Sequence, residues 1–134
     1  MSLFSVFNIA NSALSAESVR LNVVASNLAN DDSINPITRQ PYRAKEVEFR
    51  VDPLNGSAGE GVRVAGIIED QSPPKMVYEP NNPYANAKGF VAKPNINPIN
   101  EMIDMISASR AYSTNVDIMN TAKQLLVKTL TLGQ

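Results

Sequence analysis

The prolines and glycines of this chain are confined to its middle, and that confinement limits the possible folds more than any other sequence feature. All nine prolines lie between Pro36 and Pro98, and five of the six glycines lie between Gly56 and Gly89. Proline breaks helix interiors and glycine weakens them, so long helices are disfavoured there. The sequence therefore predicts an N-terminal helix over residues 1–30, a middle module over 31–97 and a C-terminal helix over 98–134.

Charged side chains follow the same division. Residues 31–97 carry nine acidic and eight basic groups, whereas the two ends together, of equal combined length, carry four of each. A helix on a protein surface normally keeps a charged face towards solvent. Two long helices with so few charges are expected to be covered over most of their circumference. Because the middle module is too small to cover both, we expect other subunits to do so.

Both ends carry apolar side chains at the alternating four-and-three spacing of a coiled-coil seam, which predicts that the two helices pair as a hairpin. The N-terminal stripe is interrupted by Glu17, and the C-terminal stripe by Ser109 and Lys123. The stripe positions are Leu3, Phe7, Ala10, Leu14, Leu21, Val24 and Leu28 at one end, and Met102, Met105, Tyr112, Val116, Met119, Leu126 and Leu130 at the other.

The middle of the chain has the composition of short strands separated by turns. Residues 42–51 alternate in part between apolar and polar side chains, and residues 61–68 are rich in β-branched side chains. Shorter strands are predicted at 75–78 and 89–92, with proline- and asparagine-containing turns between them. The predicted fold class is therefore mainly α with a β-rich insert: two long terminal helices paired as a coiled-coil-like hairpin, with a small β module between them.

The predicted helix ends have matching capping residues. Asn30-Asp31-Asp32-Ser33 is typical of a turn and ends the first helix. Asn97 is an N-cap residue, Pro98 suits the first helical position, and Glu101 favours the positive end of the helix dipole. Gly133 stands where a C-terminal glycine is expected.

Composition excludes several classes of function. The chain has no Cys and no His, so thiolate chemistry, disulfides and the usual general base near neutral pH are missing. Cys and His are also the commonest metal ligands, so we expect neither a metal site nor a cofactor. The net charge of −1 supplies no basic field for a phosphate backbone, which argues against nucleic acid as a partner.

Three groups of residues could be mistaken for chemical sites. The oxygens of Asn30 to Asp32 lack the later glycine and glutamate of a calcium loop. The glycine-rich segment 56–61 is not followed by the lysine of a phosphate loop, so a flexible hairpin loop is predicted. Glu46 and Glu48 share one face of a strand, where two solvent-exposed carboxylates are the ordinary interpretation. We therefore predict no catalytic residues and no small-molecule substrate.

The N-terminal stretch does not have the pattern of a secretory signal. It carries no Lys or Arg before its apolar residues, and Ser5 and Asn8 interrupt them. No run approaches the ~18 apolar residues of a membrane span. On these grounds alone a cytosolic protein is expected.

Motifs at both ends resemble a known family. Residues 13–30 (ALSAESVRLNVVASNLAN) resemble the N-terminal motif of flagellar basal-body rod and hook proteins. That motif contains an Arg-Leu pair and ends with Ala-Ser-Asn-Leu-Ala-Asn. Residues 99–134 resemble the matching C-terminal helix, including Ser-Arg-Ala-Tyr and Asn-Thr-Ala-Lys. Four middle segments (41–45, 62–64, 70–74 and 86–91) are similar to a short proximal rod member of that family.

The resemblance implies a structural subunit of the proximal rod, the hollow drive shaft that links the membrane ring to the distal rod and hook. Its partners would be copies of itself, other rod proteins and the flagellar export apparatus. It would be exported by that type III apparatus without a cleavable signal peptide and would lie in the periplasmic part of the basal body, which replaces the cytosolic expectation. The terminal helices would order on assembly.

We assign the expected subunit interface to two rows of large side chains at heptad spacing. These residues are Phe7, Leu14, Leu21, Leu28, Met105, Tyr112, Met119 and Leu126. Lys123 lies on the predicted apolar face, so it should extend outward to solvent or pair across subunits, with Glu17 as a candidate partner.

Two other interpretations stay open at this point. The first is a soluble intracellular helical adaptor that forms a coiled-coil complex, since it would share both apolar stripes. The second is a small carboxylate-based enzyme built on the middle module, although the sequence offers no nucleophile–base pair.

Overall fold

The structure, a computed structural model, describes residues 3–53 and 59–132. Along the chain, one long helix precedes four strands and a second long helix follows them, so the expected fold class is confirmed. The elements are α1 (Leu3–Ala29), β1 (Lys45–Pro53), β2 (Glu60–Glu69), β3 (Lys75–Tyr78), β4 (Phe90–Lys93) and α2 (Pro98–Leu132). Within the described ranges, no helix is both long and apolar enough to cross a bilayer.

The two helices pack side by side in opposite directions. The guanidinium of Arg20 donates a hydrogen bond to Asp104 Oδ1 at 2.9 Å. About two turns further along α1, the side-chain amide of Asn27 donates to Glu101 Oε2 at 3.1 Å. Because residues late in α1 meet residues early in α2, the pair is an antiparallel hairpin, as the apolar stripes predict.

Small side chains form the most tightly buried part of the seam between the helices. Ala10, Ala108 and Ala122 are each no more than 3% exposed, and Val24 is 6% exposed. An alanine keeps little bulk between two helix backbones, so the axes can approach closely where it lies. The predicted N-terminal stripe is thus correct at Ala10 and Val24.

On α2 the buried row lies one position before part of the predicted stripe. Ala108 and Ala122 face the seam instead of Ser109 and Lys123, which are both exposed. The smaller alanine side chains occupy the positions of closest approach between the helices, since a lysine there would have to lose its hydration. Lys123 therefore extends into solvent, and within the described residues Glu17 lies 3.9 Å from Arg20 instead.

Strands β1 and β2 form an antiparallel hairpin that lies along the other side of α1. Lys45 is opposite Glu69 at its base and Pro53 is opposite Glu60 at its tip. The backbone N–H of Val62 donates to Ser12 Oγ of α1 at 3.1 Å. Helix α1 is therefore held between α2 on one side and the hairpin on the other. Glu46 and Glu48 are exposed on the hairpin, as predicted.

A second, smaller hairpin is formed by β3 and β4. The rings of Tyr78 and Phe90 meet edge to face with centroids 5.3 Å apart. Gly89 has a φ of +79°, and a Cβ there would lie 2.8 Å from Tyr78 Cε2, so the turn requires glycine. Lys93 Nζ lies 2.9 Å from Glu79 and 3.4 Å from Asp32, which ties this hairpin to the turn after α1.

The helix ends carry the predicted caps where they are described. Asn30 Nδ2 donates to the Ser26 carbonyl at 2.8 Å and closes α1. At the start of α2, Asn97 Oδ1 accepts the N–H of Ile99 at 3.1 Å. The predicted C-terminal signal at Gly133 and the first half of the glycine-rich segment, residues 56–58, lie outside the described residues.

Replacing the fully buried Ala108 by leucine tests the seam. Ala108→Leu should lower the free energy of unfolding by about 1–3 kcal/mol, because the added methyl groups must separate the helices or adopt strained rotamers. Ser109→Leu adds a similar side chain to the neighbouring exposed position and is the matched control. Urea denaturation followed by circular dichroism measures both variants. Equal stability of the two variants would contradict the observed seam.

Candidate subunit interface

Asn27 joins α1, β1 and α2 at a single point. Its side chain is only 2% exposed. The amide Nδ2 donates to the Lys45 carbonyl at 2.9 Å and to Glu101, while Oδ1 accepts the Lys45 backbone N–H at 2.9 Å. The amide therefore pairs with both backbone groups of Lys45, much as a neighbouring strand would. A buried amide satisfied in this way fixes the angle between the hairpin and the helix pair.

Tyr42 closes the same junction from the loop that leads into β1. Its hydroxyl lies 3.3 Å from Ser26 Oγ and 3.3 Å from Asn27 Oδ1. The ammonium group of Lys45 lies 5.9 Å from the centre of its ring, within cation–π range. The loop after α1 thus returns to α1 before the β module begins.

Arg20 places a positive charge beside two acidic side chains near the seam. Its guanidinium contacts Asp104 of α2 at 2.9 Å and lies 3.9 Å from Glu17 of its own helix. Glu17 Oε2 is buried and has no hydrogen-bond partner among the described residues. A buried carboxylate oxygen requires compensation, and the Arg20 guanidinium supplies a nearby positive charge.

The neighbouring carboxyl of Glu101 has its pKa raised above the ordinary value of 4.5. Burial is the main cause, and the negative charges of Asp104 and Glu46 add to it. The hydrogen bond from Asn27 acts in the opposite direction because it favours the carboxylate. The charged form of Glu101 is therefore less favourable in the folded chain than in the unfolded chain.

The predicted interface residues lie in two rows along the helix pair and keep part of their surface exposed. Seven of the eight are half-buried, and Tyr112 is 38% exposed. Leu14 lies two positions from Ser12, which contacts β2, so it points to nearly the opposite side of α1. The N-terminal row therefore faces away from the hairpin. Its role in contacts between subunits stays a prediction.

Two exposed apolar surfaces on α2 were missed by the sequence analysis, except for Met102 and Leu130, which belong to the predicted stripe. One is at the start of the helix, where Ile99, Met102, Ile103 and Ile106 are 52–67% exposed. The other is at its end, where Leu125, Val127, Leu130 and Leu132 are 49–86% exposed. The spacing of the first group is itself a helical stripe and could have indicated it. That signal was overlooked because Met102 was assigned to the longer heptad pattern and the three isoleucines lie beside it.

The described residues hold no group of three or more acidic side chains that could bind a metal ion. The polar contacts of the junction instead join backbone, amide and carboxyl groups of neighbouring elements. Contacts of this kind fix the relative positions of packed elements. The geometry is therefore that of a scaffold with apolar helix surfaces left uncovered.

Comparison with known proteins identifies the class to which this scaffold belongs. The profile described as "Flagella basal body rod protein" matches residues 7–32, and "Flagellar basal body rod FlgEFG protein C-terminal" matches residues 87–132. Relatives in Escherichia coli O157:H7 and Salmonella typhimurium are 55% and 54% identical over all 134 residues, covering 100% of both chains. A relative in Bacillus subtilis is 41% identical, again over both complete chains.

The chain therefore belongs to the family of flagellar basal-body rod proteins. The relatives that match its whole length are named flagellar basal-body rod protein FlgC, which confirms the resemblance of the middle segments as well as of the ends. These relatives are structural rod proteins, so the chain is a structural subunit of the basal body and not an enzyme. The rod interpretation is thus confirmed over the adaptor and the carboxylate enzyme.

Removing the Asn27 amide should loosen the junction. We expect Asn27→Ala to lower the free energy of unfolding by about 2–3 kcal/mol, because the Lys45 backbone groups lose buried hydrogen bonds. Asn22→Ala, at an exposed position of the same helix, is the matched control and should change stability by less than about 0.5 kcal/mol. Thermal or urea denaturation of the full chain measures both. Similar losses in the two variants would contradict the assigned role of Asn27.

Neutralising Glu101 should alter how stability depends on pH. Its raised pKa means that the folded chain binds this proton more tightly than the unfolded chain, so stability falls as pH rises from 4.5 through the higher folded value. Glu101→Gln should remove that decline and leave the variant as stable as the original or more stable at pH 7. Urea unfolding across pH 4–8 measures it, with exposed Glu48→Gln as control. A Glu101→Gln profile parallel to the original would contradict the assignment.

Proposed function

We propose that this chain is a subunit of the proximal rod, the hollow shaft that links the membrane ring to the distal rod and hook. Full-length similarity to the FlgC proteins is the observation that carries the proposal. Its partners would be copies of itself, other rod proteins and the flagellar export apparatus. It would lie in the periplasmic part of the basal body, with no nucleic acid, small-molecule substrate or cofactor involved.

The two terminal helices would carry the assembly contacts through the rows that contain Phe7, Leu14, Leu21 and Leu28, and Met105, Tyr112, Met119 and Leu126. Completing the burial of eight half-exposed apolar side chains would contribute on the order of 8 kcal/mol, at about 1 kcal/mol each. Association costs on the order of 4–15 kcal/mol. One neighbour alone would barely stabilise a contact of this size, so each subunit is expected to touch several neighbours in the rod.

Each of the three segments would have its own place in the rod: 1–30, 31–97 and 98–134. The first and last would line the tube as a helix pair, while the middle module would face outward. The charge distribution supports this division, because most charged side chains of the chain lie in 31–97. Charged groups keep their hydration at an outer surface, whereas an inner layer packed between subunits would have to remove it.

Export in a largely unfolded state is compatible with the chemistry of the chain. Without Cys there is no disulfide to reduce before passage through a narrow channel. The apolar side chains exposed at the two ends of α2 would become buried only after the subunit arrives beside other subunits. We therefore propose export by the flagellar type III apparatus without a cleavable signal peptide, with the helices completing their order during assembly.

Complementation of a deletion strain tests the proposal. The deletion should abolish swimming and rods, and the original gene should restore both. Met119→Glu should be exported but should not be incorporated, because it places a charge in a predicted contact row, whereas exposed Asn120→Glu should restore swimming. Soft-agar swimming, electron microscopy of basal bodies and detection of the protein in the medium are the measurements.

Circular dichroism of the purified variants separates lost assembly from lost folding in this experiment. Met119→Glu and Asn120→Glu are expected to have similar helix content as monomers. Rods and swimming in the deletion strain would contradict the function itself. Full incorporation of Met119→Glu would contradict only the assignment of its row.

A further inference from the structure

The hydrogen bonds at the base of β1 fix the direction of its backbone groups. In an antiparallel pair, successive residues direct these groups alternately towards the partner strand and away from it. The carbonyl of Ala44 points towards β2, because it accepts the N–H of Asp70 at 2.8 Å. Lys45 points away, because its N–H and its carbonyl both bond to the Asn27 amide at 2.9 Å. Odd-numbered residues of β1 therefore direct their N–H and carbonyl groups away from β2.

The same alternation holds towards the tip of the hairpin. Val62 is opposite Val51, and its N–H points outward to Ser12 Oγ at 3.1 Å. The register shift in between leaves one extra residue, Ala65, on β2, so β1 itself stays regular. The outward direction of the odd-numbered residues therefore continues along β1 as far as residue 51.

The outward backbone groups of Val47, Phe49 and Val51 are here named the β1 edge. Within residues 3–53 and 59–132, β1 pairs with β2 alone, and no backbone hydrogen bond from another element reaches these three residues. Their side chains are apolar, and those of Phe49 and Val51 are 37% and 56% exposed. A row of unpaired donors and acceptors beside apolar side chains is a surface to which an extended segment can add as a further strand.

A groove of about 370 Å³ lies between this strand and the helix pair. Val23 and Val24 of α1 line it in its depth, since they are 7% and 6% exposed. Phe49 of the β1 edge lines one side, and Glu101 and Asp104 of α2 line the other. The groove is therefore apolar at its base and acidic along the side that faces the β1 edge.

The charges around the groove favour a cation inside it. Its lining contains the acids Glu46, Glu101 and Asp104 and the bases Arg20 and Lys45. Arg20 already contacts Asp104 at 2.9 Å, and the Lys45 ammonium lies 5.9 Å from the centre of a tyrosine ring. Burial, and then the negative charges of Asp104 and Glu46, raise the pKa of Glu101. A lysine or arginine brought beside Glu101 would supply the positive charge that this carboxylate lacks.

We infer that an extended segment of another rod subunit adds to the β1 edge as a third strand and places a lysine or arginine in the groove beside Glu101. The inference rests on the proposed function and deepens it by naming a contact outside the terminal helices and the kind of segment that makes it. A helix could not pair with the β1 edge, because its own backbone groups are bonded internally. An acidic segment would add to the negative charge of the groove.

Proline substitution tests the added strand with little disturbance of the hairpin. Val47→Pro removes one outward N–H and no bond to β2, whereas Val47→Ala, the matched control, keeps that N–H. Each variant replaces the original protein in the deletion strain. Basal bodies should contain at least tenfold less of Val47→Pro than of Val47→Ala, as measured by immunoblot. Equal incorporation would overturn the inference. Circular dichroism and urea unfolding of the two monomers, expected to be similar, control for folding.

Reversing a charge tests the groove in the same strain. Glu46 lines the groove, whereas Glu48 lies on the same strand outside it, and both side chains are exposed. Glu46→Lys places a cation where the partner's cation is expected, so its incorporation should be at least tenfold lower than that of Glu48→Lys. Equal incorporation of the two variants would contradict a basic partner.

Photo-cross-linking identifies the segment and decides the matter if Val47→Pro does not fold. Phe49→p-benzoylphenylalanine is incorporated, basal bodies are irradiated, and mass spectrometry locates the attached residue. Attachment should fall in an extended segment of another rod subunit, within a few residues of a lysine or arginine. The same substitution at Arg50, an even-numbered and exposed position, should not give this product. Attachment within a helix, attachment only within the same chain, or no attachment would overturn the inference.

Failure of this inference is distinguishable from failure of the proposed function. If the deletion removes rods and the original gene restores them, the chain is a rod subunit. Equal incorporation of Val47→Pro and Val47→Ala then rejects only the added strand. A deletion strain that keeps its rods would reject the proposed function first, and with it the inference.

Discussion

The structure depends on the hydrogen bonds that the buried amide of Asn27 makes to both backbone groups of Lys45 and to Glu101. They bind the end of α1 to the base of the β1–β2 hairpin and to the start of α2 in a single place. An amide is suited to this position because it donates and accepts without carrying charge. Arg20 lies two turns earlier and adds the charge balance that lets Glu17 lie partly buried in the seam.

A seam closed by small side chains leaves the large ones facing outward. Ala10, Ala108 and Ala122 take the positions of closest approach, so much of the apolar bulk of α2 is not used within the chain. In a monomeric protein such a surface would favour aggregation. In a family of rod subunits we expect such a surface to be covered by neighbouring subunits.

Much of the fold could be predicted from the sequence, for identifiable reasons. Pro98 and Asn97 mark the start of α2, and the clustering of proline and glycine marks the middle module, because these residues act through local backbone geometry. The predicted buried row of α2 was wrong by one position at Ser109 and Lys123. A heptad pattern of large apolar side chains reports hydrophobicity, whereas the seam selects for small volume, and alanine gives little signal in such a pattern.

The sequence by itself determined the two long helices, the β-rich insert, the lack of thiol and imidazole chemistry and, through its end motifs, the family. These properties follow from residue type and local order along the chain. Only the tertiary structure decided that Asn27 meets Lys45 and Glu101, that Ala108 lies in the seam, and that α2 extends past α1. Each depends on the register between elements distant in sequence, which is set by packing volume and hydrogen-bond geometry and not by the pattern of any single segment.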